Sequence, residues 1–191
     1  MNMLYYFVVE LPSRFHDEIA FADTTLKIET KFNEFEHRVN QGEVVSTPHK
    51  YDTPVKPGDT LFFHHHVTIN GGIPLPGYDD RYLVAYNPHH TMSCHAFAYR
   101  PKGSDVVHPI GGWSVLSPTE EDSKLDTELE LVEFEEKLPT RGVVAFDCKE
   151  LEELGLSKGD TVGFKKNMDY RFKIDGVEHY RTRVEDLLYV V

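Results

Sequence analysis

The chain has 191 residues, with 32 acidic and 20 basic side chains and a formal net charge of −12 at pH 7. We expect no nucleic-acid partner, because phosphate backbones are bound by clustered Lys and Arg and the acidic chain shows no basic patch. We expect no membrane partner either, because no stretch approaches the ~18 consecutive apolar residues that cross a bilayer.

The two cysteines and the opening segment predict a cytoplasmic location. Cys94 and Cys148 are too few for a disulfide scaffold and lack the spacing of a zinc site. The apolar run from Met3 to Val9 has no basic residue before it and no small-residue cleavage pattern after it, so we interpret it as a first strand and not as an export signal.

From this first strand onward, short β-branched and aromatic runs alternate with Pro, Gly, Asn and Asp. The runs include "YYFVVEL", "GEVVST", "DTLFFHHHVTI", "RYLVAY", "HAFAYR", "WSVL", "RGVVAF", "DTVGF", "YRFKI" and "LLYVV". Such a pattern is typical of strands joined by turns and predicts a mainly β protein. A helix is predicted only over "CKELEELGL", residues 148–156, where Leu151 and Leu154 are three apart and Gly155 stands near the end.

Sequence landmarks recur in the same order in the two halves of the chain. "VKPGDTLFF" at 55–63 is matched by "LSKGDTVGF" at 156–164, and each is preceded at similar spacing by a glycine and a valine pair, "GEVV" or "GVVA". An "ING" or "IDG" turn and a final apolar strand follow in each half. Ordered landmarks at nearly constant spacing indicate a tandem repeat. The Pro- and Gly-containing stretch 101–112 suits the join, which divides the chain into modules 1–104 and 105–191.

The repeated unit resembles the GroES-type co-chaperonin family. In the second half, "RGVV", "LSKGDTVGF", "FKIDGVEHY" and "EDLLYVV" follow the family pattern in order, whereas the first half matches more loosely. The resemblance implies two tandem GroES-like small β-barrel modules. It also implies self-association into a ring-shaped lid that binds a double-ring chaperonin and assists ATP-dependent protein folding.

The family's docking loop, which lies between the first strand and the "RG" strand, corresponds to residues 117–139 and 13–38. The resemblance assigns chaperonin binding to apolar residues of these segments: Leu129, Leu131 and Val132 in the second half, Leu26 and Ile28 in the first. The acidic composition of 117–139 favours a mobile loop. The alternation in "ELELVEFEE" equally fits a pair of strands that closes the barrel.

The histidines carry the competing hypothesis of a metal-binding, cupin-like enzyme. If 61–67 is a strand, His64 and His66 share one face about 6.6 Å apart, with His89, His90 or His95 as a third ligand. No glutamate follows the pair at the spacing of that family. We therefore expect a surface histidine cluster without a stoichiometric metal.

The sequence thus predicts a non-enzymatic co-chaperonin with no cofactor. The alternatives are the cupin-like enzyme and a viral structural or assembly protein that uses the same barrel. No serine lies in a nucleophile-elbow context, and the carboxylates of 120–136 are most simply a solvated face.

Overall fold

The computed structural model describes residues 3–11, 18–21, 24–27, 39–68, 72–90, 93–119 and 140–191. Strands are the main regular secondary structure of these residues, which confirms the mainly β part of the predicted fold class. The chain divides into two compact units, Met1–Val107 and His108–Val191, whereas the sequence predicts a boundary after residue 104. In this described part of the chain, no helix is both long and apolar enough to cross a membrane.

The described residues of the first unit form eight strands. They are β1 (Tyr6–Glu10), β2 (Glu18–Phe21), β3 (Thr24–Lys27), β4 (Gln41–Ser46), β5 (Thr60–Phe63), β6 (Ile73–Pro74), β7 (Arg81–Ala85) and β8 (Ala96–Arg100). Six of them are hydrogen-bonded in the order β6-β7-β1-β4-β5-β8, and every pair is antiparallel. The other two, β2 and β3, form a separate antiparallel hairpin.

The core of the first unit lies on the middle strands of this sheet. In β7 the burial alternates along the strand, with Tyr82 and Val84 buried and their neighbours partly exposed. In β1 and β5, by contrast, three consecutive residues are buried, among them Phe7 and Phe62. Removing these large apolar side chains from water is the main stabilising contribution to the unit.

Where the structure describes the second unit, it has seven strands and one α-helix. They are β9 (His108–Pro109), β10 (Trp113–Ser117), β11 (Arg141–Val144), α1 (Lys149–Glu153), β12 (Thr161–Phe164), β13 (Tyr170–Ile174), β14 (Val177–Arg183) and β15 (Leu187–Val190). The sheet order is β13-β14-β10-β11-β12-β15, again antiparallel. Asp175 and Gly176, with φ of 51° and 82°, form the tight turn between β13 and β14, in the conformation that two-residue hairpins favour.

The predicted helix is present but shorter than residues 148–156. It spans Lys149–Glu153 and ends before Gly155, whose φ of +74° is that of a helix stop. Leu151 is fully buried in a core cluster with residues of β10, β11 and β12, whereas Leu154 is 59% exposed. One leucine of the predicted pair therefore anchors the helix.

The two sheets have the same internal order of strands. Across the two sheets, β7-β1-β4-β5-β8 corresponds to β14-β10-β11-β12-β15. The register also shifts at the same place, between Phe62 and Phe63 in β5 and between Gly163 and Phe164 in β12. The hydrogen-bonded strands of the described residues do not form a closed ring in either sheet. The expected pair of small barrels is thus observed only as two antiparallel sheets.

Candidate functional site

A Gly-Asp turn leads into β5 in the first unit and into β12 in the second. Gly58 and Gly159 have φ of +92° and +99°, a region that glycine enters freely and other residues enter at a cost of about 1–2 kcal/mol. The Gly58 N–H donates to the carbonyl of Val44 at 2.7 Å, and the Gly159 N–H donates to that of Val144 at 2.9 Å. The glycine conformation therefore ties each turn to the neighbouring strand.

The aspartates of these turns accept backbone hydrogen bonds. Asp59 Oδ2 accepts the N–H of Lys56, and Asp160 Oδ2 accepts the N–H of Ser157, both at 2.8 Å. In the first unit the Asp59 Oδ1 atom also accepts the N–H of Lys102 at 2.9 Å. A short carboxylate can bond amides close to it in the chain, which explains why Asp stands at this position.

A second glycine pair lies at the start of β4 and β11, where two strands approach each other closely. A Cβ atom added to Gly42 would lie 2.9 Å from the Glu10 carbonyl oxygen, and one added to Gly142 would lie 3.2 Å from the Ser117 carbonyl oxygen. A side chain at either position would have to displace backbone atoms. The glycines therefore permit close contact at the point where each long segment leaves and rejoins its sheet.

Those long segments, residues 11–40 and 118–140, lead from β1 to the adjacent strand β4 and from β10 to the adjacent strand β11. The last residue of β1 is paired with β4, and the last residue of β10 is paired with β11. Each segment therefore begins and ends at the same place on its sheet, which is the arrangement of a loop inserted into a scaffold.

The structure describes one of the five predicted docking residues. Leu26 lies in β3, paired with β2, and its side chain is 56% exposed. The segment "ELELVEFEE" lies outside the described residues. The sequence predicts either a mobile loop or a pair of strands for it. The other predicted docking residues, Ile28, Leu129, Leu131 and Val132, also lie outside the described residues.

The histidine run adopts a conformation that differs from the strand considered over 61–67. The strand β5 ends at Phe63, and a 3₁₀ turn follows over His65–Thr68. His64, His65 and His66 converge there: each offers one ring nitrogen, and the three atoms lie within 4.8 Å of one another. The ring centroids are 4.2–4.8 Å apart. A turn therefore brings together three imidazoles, where a strand would have turned His65 to the opposite face.

The other candidate ligands do not join this group in the described part of the chain. The His89 ring lies 6.1 Å from the ring of Tyr51, and His90 Nδ1 lies 3.3 Å from the hydroxyl of Ser93. The backbone of His95 contacts the cluster, since its carbonyl accepts the N–H of His64 at 3.0 Å. The third imidazole is His65, which strand geometry excluded.

A local signal for this turn is present in the sequence. Thr68 stands three residues after His65, and its hydroxyl donates to the His65 carbonyl at 2.9 Å. Threonine hydroxyls make such short-range bonds in place of strand pairing. A threonine at this spacing could have indicated that the strand ends before the histidines.

Both cysteines of the chain are buried. Cys94 and Cys148 are both free thiols. Burial raises the pKa of Cys148 to about 11, which keeps this thiol protonated near neutral pH. A protonated thiol is a poor nucleophile and a poor metal ligand.

Comparison with known proteins assigns no family, since no protein-family model matches the chain and no curated protein matches it significantly. The proposed function is therefore based on the geometry described above and on the sequence pattern.

Proposed function

We propose that the protein is a tandem GroES-like co-chaperonin that assembles into a ring and caps a double-ring chaperonin. The observation that carries the proposal is the correspondence between the two units. Their strand orders agree, and so do the hydrogen bonds of their Gly-Asp turns. These are the features at which the sequence resembles the co-chaperonin family, so the same residues support both the repeat and the resemblance.

Hydrogen bonds beyond the turn support a duplication. The N–H of Phe63 donates to the carbonyl of Asn40 at 2.8 Å, and that of Phe164 donates to Thr140 at 2.9 Å. In both units the bond joins the last residue of the strand that follows the Gly-Asp turn, β5 or β12, to the residue just before the neighbouring strand, β4 or β11. Two unrelated small sheets would have no reason to share a strand order, a register shift and these bonds.

The place of the long segments supports docking as the function. One segment leaves the sheet after β1 and returns at the neighbouring strand β4, and the other leaves after β10 and returns at β11. Substitutions within either segment should therefore leave the strand pairing intact. In the family that the chain resembles, the docking loop lies at this place. The exposed Leu26 side chain offers apolar surface there, and a fully buried leucine contributes about 1.5–3 kcal/mol.

Ring assembly follows from the weakness of one such contact. Part of the energy of a buried leucine is lost to the ordering of the segment that carries it. When one loop of a ring is bound, the remaining loops act at high effective concentration, and the affinities multiply. A co-chaperonin built this way binds tightly only when the nucleotide state of its partner presents several sites together.

Co-sedimentation with a purified double-ring chaperonin, with and without ATP, tests the proposal. We expect the wild-type protein to pellet with the chaperonin in the presence of ATP. The triple variant Leu129→Ser/Leu131→Ser/Val132→Ser should remain in the supernatant while keeping the wild-type circular dichroism spectrum. Leu154→Ser is the matched control, because Leu154 is an exposed leucine of the same unit, and it should pellet as the wild type does.

The outcomes separate the alternatives. Failure of the wild type to pellet under any nucleotide condition would contradict the proposal, and a ring seen by sedimentation velocity in that case would favour the assembly-protein interpretation. A triple variant that pellets normally would move docking to another surface. A triple variant that unfolds would identify 129–132 as part of the core.

A further inference from the structure

We propose that His64, His65 and His66 form a binding site for one first-row divalent metal ion such as Zn²⁺. The sequence predicts no stoichiometric metal because the His64 and His66 pair of a strand has no third ligand at a fixed spacing. The observed turn removes that premise, since it gathers three ring nitrogens within 4.8 Å of one another.

The geometry is close to what a metal requires. Imidazole nitrogens bind Zn²⁺ at about 2.0–2.1 Å, which places ligand atoms of a tetrahedral site about 3.3 Å apart. Side-chain rotations that shorten the present separations of up to 4.8 Å would complete the arrangement. Imidazole is a ligand that suits Zn²⁺, Ni²⁺, Cu²⁺ and Co²⁺, whereas Mg²⁺ and Ca²⁺ prefer oxygen.

The surroundings place the site at the edge of the core. His66 is exposed, His64 and His65 are partly exposed, and the Nε2 atom of His65 is itself buried. The next residues, Val67 and Thr68, are buried and hold the turn against the core. A metal held here keeps at least one coordination position for solvent or for another ligand, because the three imidazoles supply three of the four positions of a tetrahedral site.

The fold does not require histidines at this turn, and the second unit supplies the comparison. There, the Lys165 N–H donates to the Asp186 carbonyl as the His64 N–H does to His95, and the Met168 N–H donates to Lys165 as the Val67 N–H does to His64. These two backbone hydrogen bonds recur with a lysine in place of His64, although the turns differ in conformation: residues His65–Thr68 form a 3₁₀ turn, whereas Asn167 has a φ of +65°. The Lys165 ammonium group forms an ion pair with Asp186 at 2.8 Å.

At the position that corresponds to His64, the second unit therefore has a lysine whose ammonium group is paired with a carboxylate. Lys166 and Asn167 follow Lys165 in the chain, so no imidazole occupies the turn of the second unit. The two shared backbone hydrogen bonds form with either set of side chains, so they do not explain why three histidines stand at this turn.

One hydrogen bond gives the site a spectroscopic signature. The Nδ1 atom of His64 accepts the backbone N–H of His66 at 3.2 Å, so the proton of the neutral ring is on Nε2. A metal bound to Nε2 would leave the proton of the neutral ring on Nδ1, which could then no longer accept a hydrogen bond. A metal bound to Nδ1 would take the place of the His66 N–H at that atom. Either mode breaks the bond and shifts the His66 amide resonance.

The test uses the full-length chain, purified without a polyhistidine tag and stripped with a chelator. We titrate it with Zn²⁺ by calorimetry and with Co²⁺ by visible absorption, and follow the His66 amide by NMR. We expect one ion per chain and a shifted His66 amide. His66→Ala should weaken Zn²⁺ binding at least about tenfold, because loss of even an outer-shell partner costs about 10–100-fold.

The control is the double variant His89→Ala/His90→Ala, which removes two exposed histidines outside the cluster. It should bind Zn²⁺ as the wild type does. Because His66 is exposed, its alanine variant should keep the wild-type circular dichroism spectrum; if it does not, His66→Gln serves in its place. The proposal is overturned by a wild type without stoichiometric binding, by a folded His66 variant of unchanged affinity, or by equal loss in the control.

Discussion

His179 is a buried histidine in a largely aromatic environment. Its ring lies 5.8 Å from that of Phe146 and 6.0 Å from that of Phe172, and its Nδ1 atom lies 2.9 Å from the Val177 carbonyl oxygen. Desolvation by burial lowers the pKa of His179 below its ordinary value, although the carbonyl of Val177 and nearby carboxylates act in the opposite direction. The folded protein therefore favours the neutral ring.

This depressed pKa predicts a loss of stability in mild acid. Since the unfolded chain binds the proton more readily than the folded one, the free energy of unfolding falls as the pH drops through the unfolded value of about 6.5. Above that value both states are neutral and the contribution vanishes. Urea denaturation at about pH 7.5 and about pH 5.5 should show a smaller fall for His179→Phe than for the wild type.

The control for this measurement is His49→Gln, because His49 is exposed and its substitution should leave the pH dependence unchanged. Carboxylates that titrate in the same range contribute equally to all three proteins and cancel in the comparison. Equal pH dependence in His179→Phe and the wild type would contradict the assignment of a buried neutral imidazole.

At the residue scale, the sequence predicts features that a residue's own chemistry determines. The Gly-Asp turns belong to this class, because a positive φ favours glycine and a short carboxylate caps its own turn. The convergence of three imidazoles does not, because it depends on where β5 ends. That end is set by the turn after Phe63 and by contacts with β8, which are remote in sequence.

The helix α1 is the element whose packing is clearest. Its five residues, Lys149–Glu153, are too few to be stable alone, since isolated helices shorter than about 12–15 residues are marginal in water. Leu151 packs against Leu116, Val144 and Val162 in the core of the second unit. Tertiary packing through one side chain therefore holds the helix in place.

Replacing that leucine should be costly. Leu151→Ala is expected to lower the free energy of unfolding by about 2–5 kcal/mol, because it removes buried methyl groups and leaves a cavity. The matched control Leu154→Ala lies three residues away on the exposed side and should change stability by no more than about 0.5 kcal/mol. Chemical denaturation measures both, and equal effects of the two variants would contradict the described packing.

At the element scale, the alternating and aromatic runs predict strands well because side chains of a strand alternate between two faces. The helix is predicted at the right place but too long, since Leu154 fits the helical spacing as well as Leu151 does. Spacing cannot tell which leucine meets the sheet. Strand pairing between residues that are distant in sequence decides which leucine contacts the sheet. Such pairing also decides the length of β5.

For the whole molecule, we propose that two copies of one co-chaperonin-like module present docking segments to a chaperonin. The repeat can be predicted from the sequence because its landmarks are turns, which are specified locally. A closed barrel cannot be, because closure depends on pairing between the end strands of a sheet. The binding partner cannot be predicted from the turns either, because function depends on the long segments inserted between the strands.

The most direct measurement is electron cryomicroscopy of the full-length protein mixed with a double-ring chaperonin and ATP. We predict additional density that closes one or both ends of the chaperonin cylinder, with contacts made through the segments at 13–38 and 117–139. The density should disappear with the triple variant Leu129→Ser/Leu131→Ser/Val132→Ser. Cylinders that remain open at saturating wild-type protein, or density bound only to the outer wall, would contradict the account.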